Sequence, residues 1–434
     1  MVKNISIVTT FPQLYESFVA TSLIGRAQEK KIVNITVDSL FSFVKPKERI
    51  DAPTFGPGAG MLIRPEVVER AINATEKERG KAFKIFFSPH GKKLNQKLLK
   101  QLAHQIKDRS HLMLLPARYE GMDARVEQVY ADEIISVGDF VLMGGDIPAM
   151  MLIEGLLRYI PGIVGKQESV EAESFSGPFV DYPEYTEPVE WHDMKVPDIV
   201  RSGNHAAIDQ WREQQAAQRT VLDHFDWLKK SKLNAYECEL AYQAVPSHYV
   251  ALMHTKVALA GQEEAGTTSV TSIDIHDIAR SSKTYGIKNF FIVTPLQDQQ
   301  KIVTKLLTFW QEGSGKSYNK QRYKALSTVE LVDSFDAVIA GIERKEGKKP
   351  IVIATSAQEH PGCEPLSFTD QSKIWQQERP VLFLFGTGQG LADELIARVD
   401  YLLPPIIGLT TYNHLSVRSA AAIVLDRWLG ISLE

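Results

Sequence analysis

Short apolar runs, each followed by a stretch with helical spacing, dominate the first third of the chain. Ile5–Val8, Ile32–Val37, Phe83–Phe87, His111–Leu115 and Glu133–Ser136 read as buried strands. Between them lie a helical stretch from Gln13 to Gln28 and a helix bearing Lys92, Lys93 and Lys97 on its polar side. A helix at Ala124–Tyr130 follows, and then one whose apolar positions Met150, Met151, Ile153, Leu156 and Leu157 recur at helical spacing. The rhythm restarts at His248, with strands expected at Tyr249–Met253, Phe290–Val293, Ala337–Ala340, Ile351–Ala354, Val381–Phe385 and Tyr401–Leu403. Strands alternating with helices predict an α/β fold with mostly parallel sheets and right-handed crossovers. Between the two halves, residues 182–233 read as a small helical unit. Its core candidates are Ile208, Trp211, Ala216, Val221, Leu222 and Phe225, and polar segments at 166–181 and 234–247 read as linkers.

The length of 434 residues suggests two or three domains. A net charge of −4 excludes a uniformly basic nucleic-acid coat but leaves room for local basic patches. Two are visible, Lys45–Arg49 and the face carrying Arg201, His205, Arg212, Arg219, Lys229, Lys230 and Lys232; such a face is either solvated or a contact for RNA. Cys238 and Cys363 match no metal spacing, and neither a leader-like apolar core nor a bilayer-length apolar run is seen. A soluble protein of the reducing cytoplasm, with no membrane partner, is the expectation.

In parallel sheets, ligands bind off the carboxyl ends of strands. Three strand-end loops qualify in the first half: Ser88–Gly91, Pro116–Gly121 and Ser136–Gly145, the last with Gly144-Gly145 just ahead of a helix. Lys45–Arg64, basic and then rich in Gly and Pro, reads as a long functional loop or a connector. In the second half Gly386-Thr387-Gly388-Gln389-Gly390 follows a strand and precedes a helix, without the acidic ribose partner of a dinucleotide site. Asn413 or Ser416 suits a helix cap, which leaves the adjoining Arg418 unexplained. Arg280 is either a substrate contact or an ordinary ion-pair partner of Asp277 or Asp274. Strand, loop and helix succeed one another in the same order in the two halves, at an offset of roughly 270 residues, as two related domains would.

Ordered motifs carry a resemblance. FGPGAGML, SPHGKKL, RYEGMDARV, SVGDFVLMGGDIPAM, RYIPGIVG, SFSGPFVDYPEYTEP and SGNHAAIDQWR make residues 1 to about 233 similar to bacterial tRNA (guanine-N1)-methyltransferases, which modify the guanosine 3′ of the anticodon (position 37). TSVTSIDIHDIARSSKTYGIKNFFIVTP, LFGTGQGLADEL and YNHLSVRSAAAIVLDR make residues 248–434 resemble a second family of the SPOUT class of RNA methyltransferases, of unsettled substrate. The resemblance implies two tandem α/β trefoil-knot domains, at 1–165 and 248–434, separated by the helical tRNA-binding domain at 182–233. It also implies S-adenosylmethionine as methyl donor, Mg2+ for activity, tRNA as partner and a homodimer.

Residue by residue, it assigns the adenosine to backbone groups of Ser88, Pro89, Ala117, Tyr119, Gly121, Ser136, Val137, Gly138, Phe140, Leu142, Gly144, Gly145 and Pro148, with Glu120 approaching the cofactor. Arg158 takes the place of the arginine facing guanine O6. The general base, an aspartate in the family pattern, corresponds to Glu173 within Glu171-Ala172-Glu173-Ser174-Phe175, with Glu171 as rival. In the second half the implied cofactor contacts are Gly386, Thr387, Gly388, Gly390, Ile406, Gly408, Asn413, Leu415 and Ser416. A second reading makes the C-terminal half a module that binds the cofactor or docks RNA without catalysis.

Overall fold

The structure, a computed structural model, describes residues 2–57, 60–165, 173–358, 360, 362–410 and 412–431. The chain divides into two compact units, Met1–Ser176 and Gly177–Glu434.

The first unit is built on five parallel strands in the order β2-β1-β6-β5-β7: β1 (Asn4–Thr9), β2 (Asn34–Ser39), β5 (Phe83–Lys93), β6 (His111–Leu115) and β7 (Glu133–Ser136). A short antiparallel hairpin, β3 (Asp51–Pro53) with β4 (Met61–Ile63), lies within the expected 45–64 loop. Every residue of β6 is buried, because helices cover both faces of the sheet. The Gln13–Gln28 stretch is not one helix. A 3₁₀ turn at Pro12–Tyr15 leads into helices Glu16–Ala20 and Ser22–Glu29, broken where Ser22 takes a φ of 54°. Strand β5 runs past the expected end at Phe87, with an irregularity between Phe87 and Lys92, so that Ser88–Gly91 bulges out of a strand.

The second unit holds six parallel strands, β14-β13-β10-β16-β15-β17: β10 (His248–Met253), β13 (Asn289–Val293), β14 (Val329–Val332), β15 (Ile351–Thr355), β16 (Val381–Gly386) and β17 (Tyr401–Leu403). Two small antiparallel pairs complete it, β8 (Glu190–Trp191) with β9 (Met194–Lys195) and β11 (Thr255–Val257) with β12 (Gly266–Thr267). The strand expected at Ala337–Ala340 is instead the middle of a helix, Phe335–Glu346. Ser334 caps it, Phe335, Val338 and Ile342 bury one stripe, and Gly347 ends it with a φ of 72°. The strand at that edge is β14, which lies upstream.

Residues 234–247, expected as a linker, contain the helix Ala235–Ala244, opened by a capping box between Asn234 and Glu237. It packs against the long helix His205–Asp223. Val221, Phe225 and Leu228 share one hydrophobic core with Val250, Phe290, Trp375 and Trp428, so the helical segment and the C-terminal sheet bury each other. Lys229, whose pKa is lowered by burial, donates to the Arg427 carbonyl at 2.7 Å. At the centre of this core His248 donates from Nδ1 to the Pro246 carbonyl at 2.6 Å, while Nε2 accepts from Trp375 at 3.2 Å and Trp428 at 3.1 Å.

Candidate active sites

The adjacency of β6, β5 and β7 sets the three N-terminal strand-end loops side by side. They line one cavity of about 390 Å3, and every N-terminal residue expected at the cofactor is in its wall: Ser88, Pro89, Ala117, Tyr119, Glu120, Gly121, Ser136, Val137, Gly138, Phe140, Leu142, Gly144, Gly145 and Pro148. The glycine pair is explained by close approach. A Cβ on Gly145 would stand 2.9 Å from Pro116 Cα, and one on Gly144 would stand 2.9 Å from the Ala117 carbonyl oxygen. That proximity lets the Gly145 amide donate to the Ala117 carbonyl at 2.8 Å. Three backbone bonds fasten β4 beside the second loop: Glu120 N to Met61 O, Ile63 N to Gly121 O and Asp123 N to Ile63 O. Strand β4, within the 45–64 segment, thereby supports the wall of this cavity.

Several polar residues here escape a linear reading. Asp146, fully buried, accepts from Thr9 Oγ at 2.6 Å, Tyr15 Oη at 3.1 Å and Arg118 Nε at 2.6 Å. This buried pair ties the end of β1 to the loops around the cavity, and burial, then Asp146, drives the Tyr15 pKa upward. His90 and Glu127 also line the cavity, 3.3 Å apart, and burial raises the Glu127 pKa. The only sequence signal for the Asp146 network is a charged residue inside an otherwise apolar stretch.

Arg158 and Glu173 are brought together. Arg158 Nη2 contacts both carboxylate oxygens of Glu173, and both side chains are partly exposed. Arg158 ends the helix Asp146–Leu157 that the glycine loop opens, so one helix joins the cavity to the ion pair. Glu171 lies outside the described residues.

In the second unit, the neighbouring strands β16, β15 and β17 carry the loops that build a cavity of about 440 Å3. Gly386, Thr387, Gly388, Gly390, Ile406, Asn413, Leu415 and Ser416 line it, whereas Gly408 is exposed and stands outside the lining. Ser416 caps the helix Val417–Leu429 by accepting from the Ser419 amide, and Asn413 Nδ2 donates to the Ala357 carbonyl at 3.0 Å. Asp274 and Asp277 are taken by Arg418, at 3.1 and 3.8 Å, while Arg280 is exposed on its helix. His254, Thr268 and Asp274 also line this cavity. The histidine has a faint sequence signal, a polar residue directly ending the apolar run of β10.

Among the described residues, no group of three or more His, Cys, Asp or Glu side chains could hold a metal ion, and no helix is long and apolar enough to cross a membrane. Phosphate-facing candidates are partly engaged: Arg212 pairs with Asp209 at 3.4 Å and lies over the Tyr182 ring, and Arg219 donates to the Asp181 carbonyl at 3.1 Å.

Residues 3–230 match the family model described as tRNA (Guanine-1)-methyltransferase TrmD, and residues 247–430 match that of a SAM-dependent RNA methyltransferase. Similar proteins include the tRNA (guanine-N(1)-)-methyltransferases of Nitratidesulfovibrio vulgaris, 37% identical over 98% of this chain and 99% of the relative, and of Oleidesulfovibrio alaskensis, 37% identical over 99% of each. That of Dictyoglomus turgidum is 39% identical over 55% of this chain and 94% of its own. The glycine-built cavity, the helix running from it to an arginine–glutamate pair, and matches spanning both halves converge: the chain belongs to the tRNA (guanine-N1)-methyltransferase family, and its C-terminal half is a SAM-dependent RNA methyltransferase domain.

Proposed function

We propose that the N-terminal half transfers a methyl group from S-adenosylmethionine to N1 of the guanosine 3′ of the anticodon, position 37, and that the C-terminal half is a second RNA methyltransferase. The observation that carries the first part is the contact between Arg158 and Glu173. The Watson–Crick edge of guanine presents an acceptor, O6, beside a donor, N1–H. An adjacent guanidinium and carboxylate are its complement, so the base would separate the pair and satisfy both. Glu173 then takes the N1 proton, and Arg158 stabilises the negative charge that develops on O6. The sulfonium donor supplies an electrophilic methyl group. The three loops hold its adenosine through backbone groups, and Gly144 and Gly145 keep the loop backbones close enough to do so. Among the described residues no three His, Cys, Asp or Glu side chains are grouped so as to hold a metal ion by themselves, and the residue roles given above involve none.

The domains we assign are a SPOUT-type, trefoil-knotted 1–165, a linker at 166–181 of which 166–172 lie outside the described residues, a helical tRNA-binding segment at 182–233 and a second knotted domain at 248–434, with the helix Ala235–Ala244 standing where a second linker at 234–247 was expected. The support is the recurrence of the neighbour order β6-β5-β7 as β16-β15-β17, with a cavity off each. Family likeness adds a homodimer working in the cytoplasm. Titration calorimetry combined with solution mass should give a dimer with two S-adenosylmethionine sites per chain. One site per chain would reduce the C-terminal half to a docking module, and a monomer would remove the dimer.

Arg212 and Arg219 are the phosphate contacts we assign to the helical segment. Reversing both charges should weaken tRNA binding about tenfold or more at physiological salt and flatten its salt dependence. Unchanged affinity would make the face merely solvated.

A further inference from the structure

His254 stands at the carboxyl end of β10, 1% exposed, in the wall of the C-terminal cavity. Its tautomer follows from counting protons. The Thr387 hydroxyl has one proton and donates it to the Met253 carbonyl at 2.9 Å. In the 2.5 Å contact between Thr268 and Thr387, the donor must therefore be Thr268. With that proton spent, Thr268 Oγ can only accept from His254 Nδ1, 3.2 Å away. The ring is the Nδ1–H tautomer, and Nε2 carries a bare lone pair. Nε2 is buried and has no hydrogen-bond partner among the described residues. A buried acceptor left empty costs free energy, so one in a cavity wall marks the place of a ligand's donor. Burial also depresses the ring's pKa to about 4, against the opposing pulls of Asp274 and the Ser269 carbonyl, which keeps the lone pair free at neutral pH.

Two charged groups line the same cavity. Asp274, nearly buried, accepts from the Thr271 hydroxyl and from Arg418 Nη1. Arg418 is about a third exposed and keeps further N–H groups beyond its contacts with Asp274 and Asp277. A lone pair, a carboxylate and a guanidinium in one cavity wall are the complement of a zwitterion. An ammonium group can donate to His254 and sit in the field of Asp274, while a carboxylate takes the free edge of Arg418.

We propose that His254, Asp274 and Arg418 form a subsite for the α-amino-acid end of the ligand in the C-terminal cavity, with His254 Nε2 accepting from its ammonium group. This rests on the reading of that cavity as an S-adenosylmethionine site, and assigns the adenosine to the loop segments 386–390, 404–406 and 413–416. The same subsite would be indifferent to 5′-methylthioadenosine, which has no amino-acid tail.

The full-length chain provides the test, because its N-terminal site is an internal control in the same titration. His254→Leu should weaken S-adenosylmethionine binding at the C-terminal site by about 10- to 100-fold, since a hydrogen bond from a charged donor is lost. Binding of 5′-methylthioadenosine there should be unchanged, and His254→Gln, with an amide oxygen near the Nε2 position, should recover part of the loss. If His254→Leu weakens both ligands alike, or neither, the subsite is overturned. Should that variant fail to fold, as judged by its melting, Arg418→Gln at the more exposed position must show the same selective loss, and equal weakening of both ligands again overturns the proposal. A wild-type chain that binds neither ligand in its C-terminal half overturns the cofactor reading itself, and the subsite with it.

Discussion

Glu173→Gln should slow single-turnover methylation of the tRNA guanine by roughly 10²–10⁴-fold, the usual contribution of a positioned general base. Guanine N1 is largely protonated at neutral pH, so attack on the methyl group needs a proton acceptor in place. Glutamine keeps the shape and can still accept a hydrogen bond from Arg158, but it cannot take the proton. Donor binding should persist, because Glu173 is not among the residues lining the N-terminal cavity. The contact with Arg158 makes a second outcome readable. If the pair serves only to neutralise the arginine, Glu173→Gln should alter tRNA affinity and leave the bound-state rate near normal. If Glu171→Gln instead abolishes turnover and Glu173→Gln does not, the base is two residues away, and if neither matters it lies elsewhere. The glutamate is one methylene longer than the family's aspartate, and Arg158 already holds its carboxylate beside a donor. The reach that matters is therefore set by the pair and not by the length of one side chain.

Acid should melt the C-terminal unit ahead of what its surface charges require, through His248. Burial depresses this histidine from its ordinary value of 6.5 to about 4, and its Nε2 lone pair receives two indole N–H bonds. Protonation would set a third N–H against those two, so the folded state excludes the charged ring. A folded-state pKa below the unfolded one means a contribution that is complete above pH 6.5 and lost as pH falls toward 4. The difference is on the order of 3 kcal/mol between those limits. His254 adds to it in the same direction, also with a pKa near 4. Thermal unfolding followed by tryptophan fluorescence from pH 7 to pH 4.5 is the measurement. His248→Gln should lower the melting temperature at pH 7 and reduce its slope with pH. An unchanged slope would place the acid sensitivity in other groups.

Both expectations depend on contacts between residues that are not neighbours in the chain, 15 apart for Arg158 and Glu173 and 127 and 180 for His248 and its two tryptophans, and this divides what could be read from the sequence from what could not. The strands His111–Leu115 and Glu133–Ser136 and the helix Ala124–Tyr130 were legible to the residue. A parallel strand buried on both faces reads as a near-continuous apolar run, and in the structure Asp123 caps the helix that follows. The strand-end loops were legible for a topological reason, since parallel strands present all their carboxyl ends on one edge. Local patterns failed where tertiary burial made the choice. The run at Ala337–Ala340 is apolar enough for a strand, yet its caps and the stripe Phe335, Val338 and Ile342 make it helical. The polar 234–247 segment forms a helix because its partner, His205–Asp223, lies beside it.

Residue types and spacing along the chain thus determined the parallel α/β class and the strand-end loops, while Arg158 and Glu173 stood out only through the resemblance to a family. Only the tertiary structure decided which loops share a cavity, because that follows from the neighbour orders β6-β5-β7 and β16-β15-β17 and not from chain order. It also decided the states of the buried polar groups. Asp146 is fully partnered because Arg118, Thr9 and Tyr15 surround it, and His254 presents a bare nitrogen because two threonines have spent their protons. A polar atom's partners are set by what folding packs against it, and along the sequence those neighbours range from 14 residues apart, for His254 and Thr268, to 137, for Thr9 and Asp146.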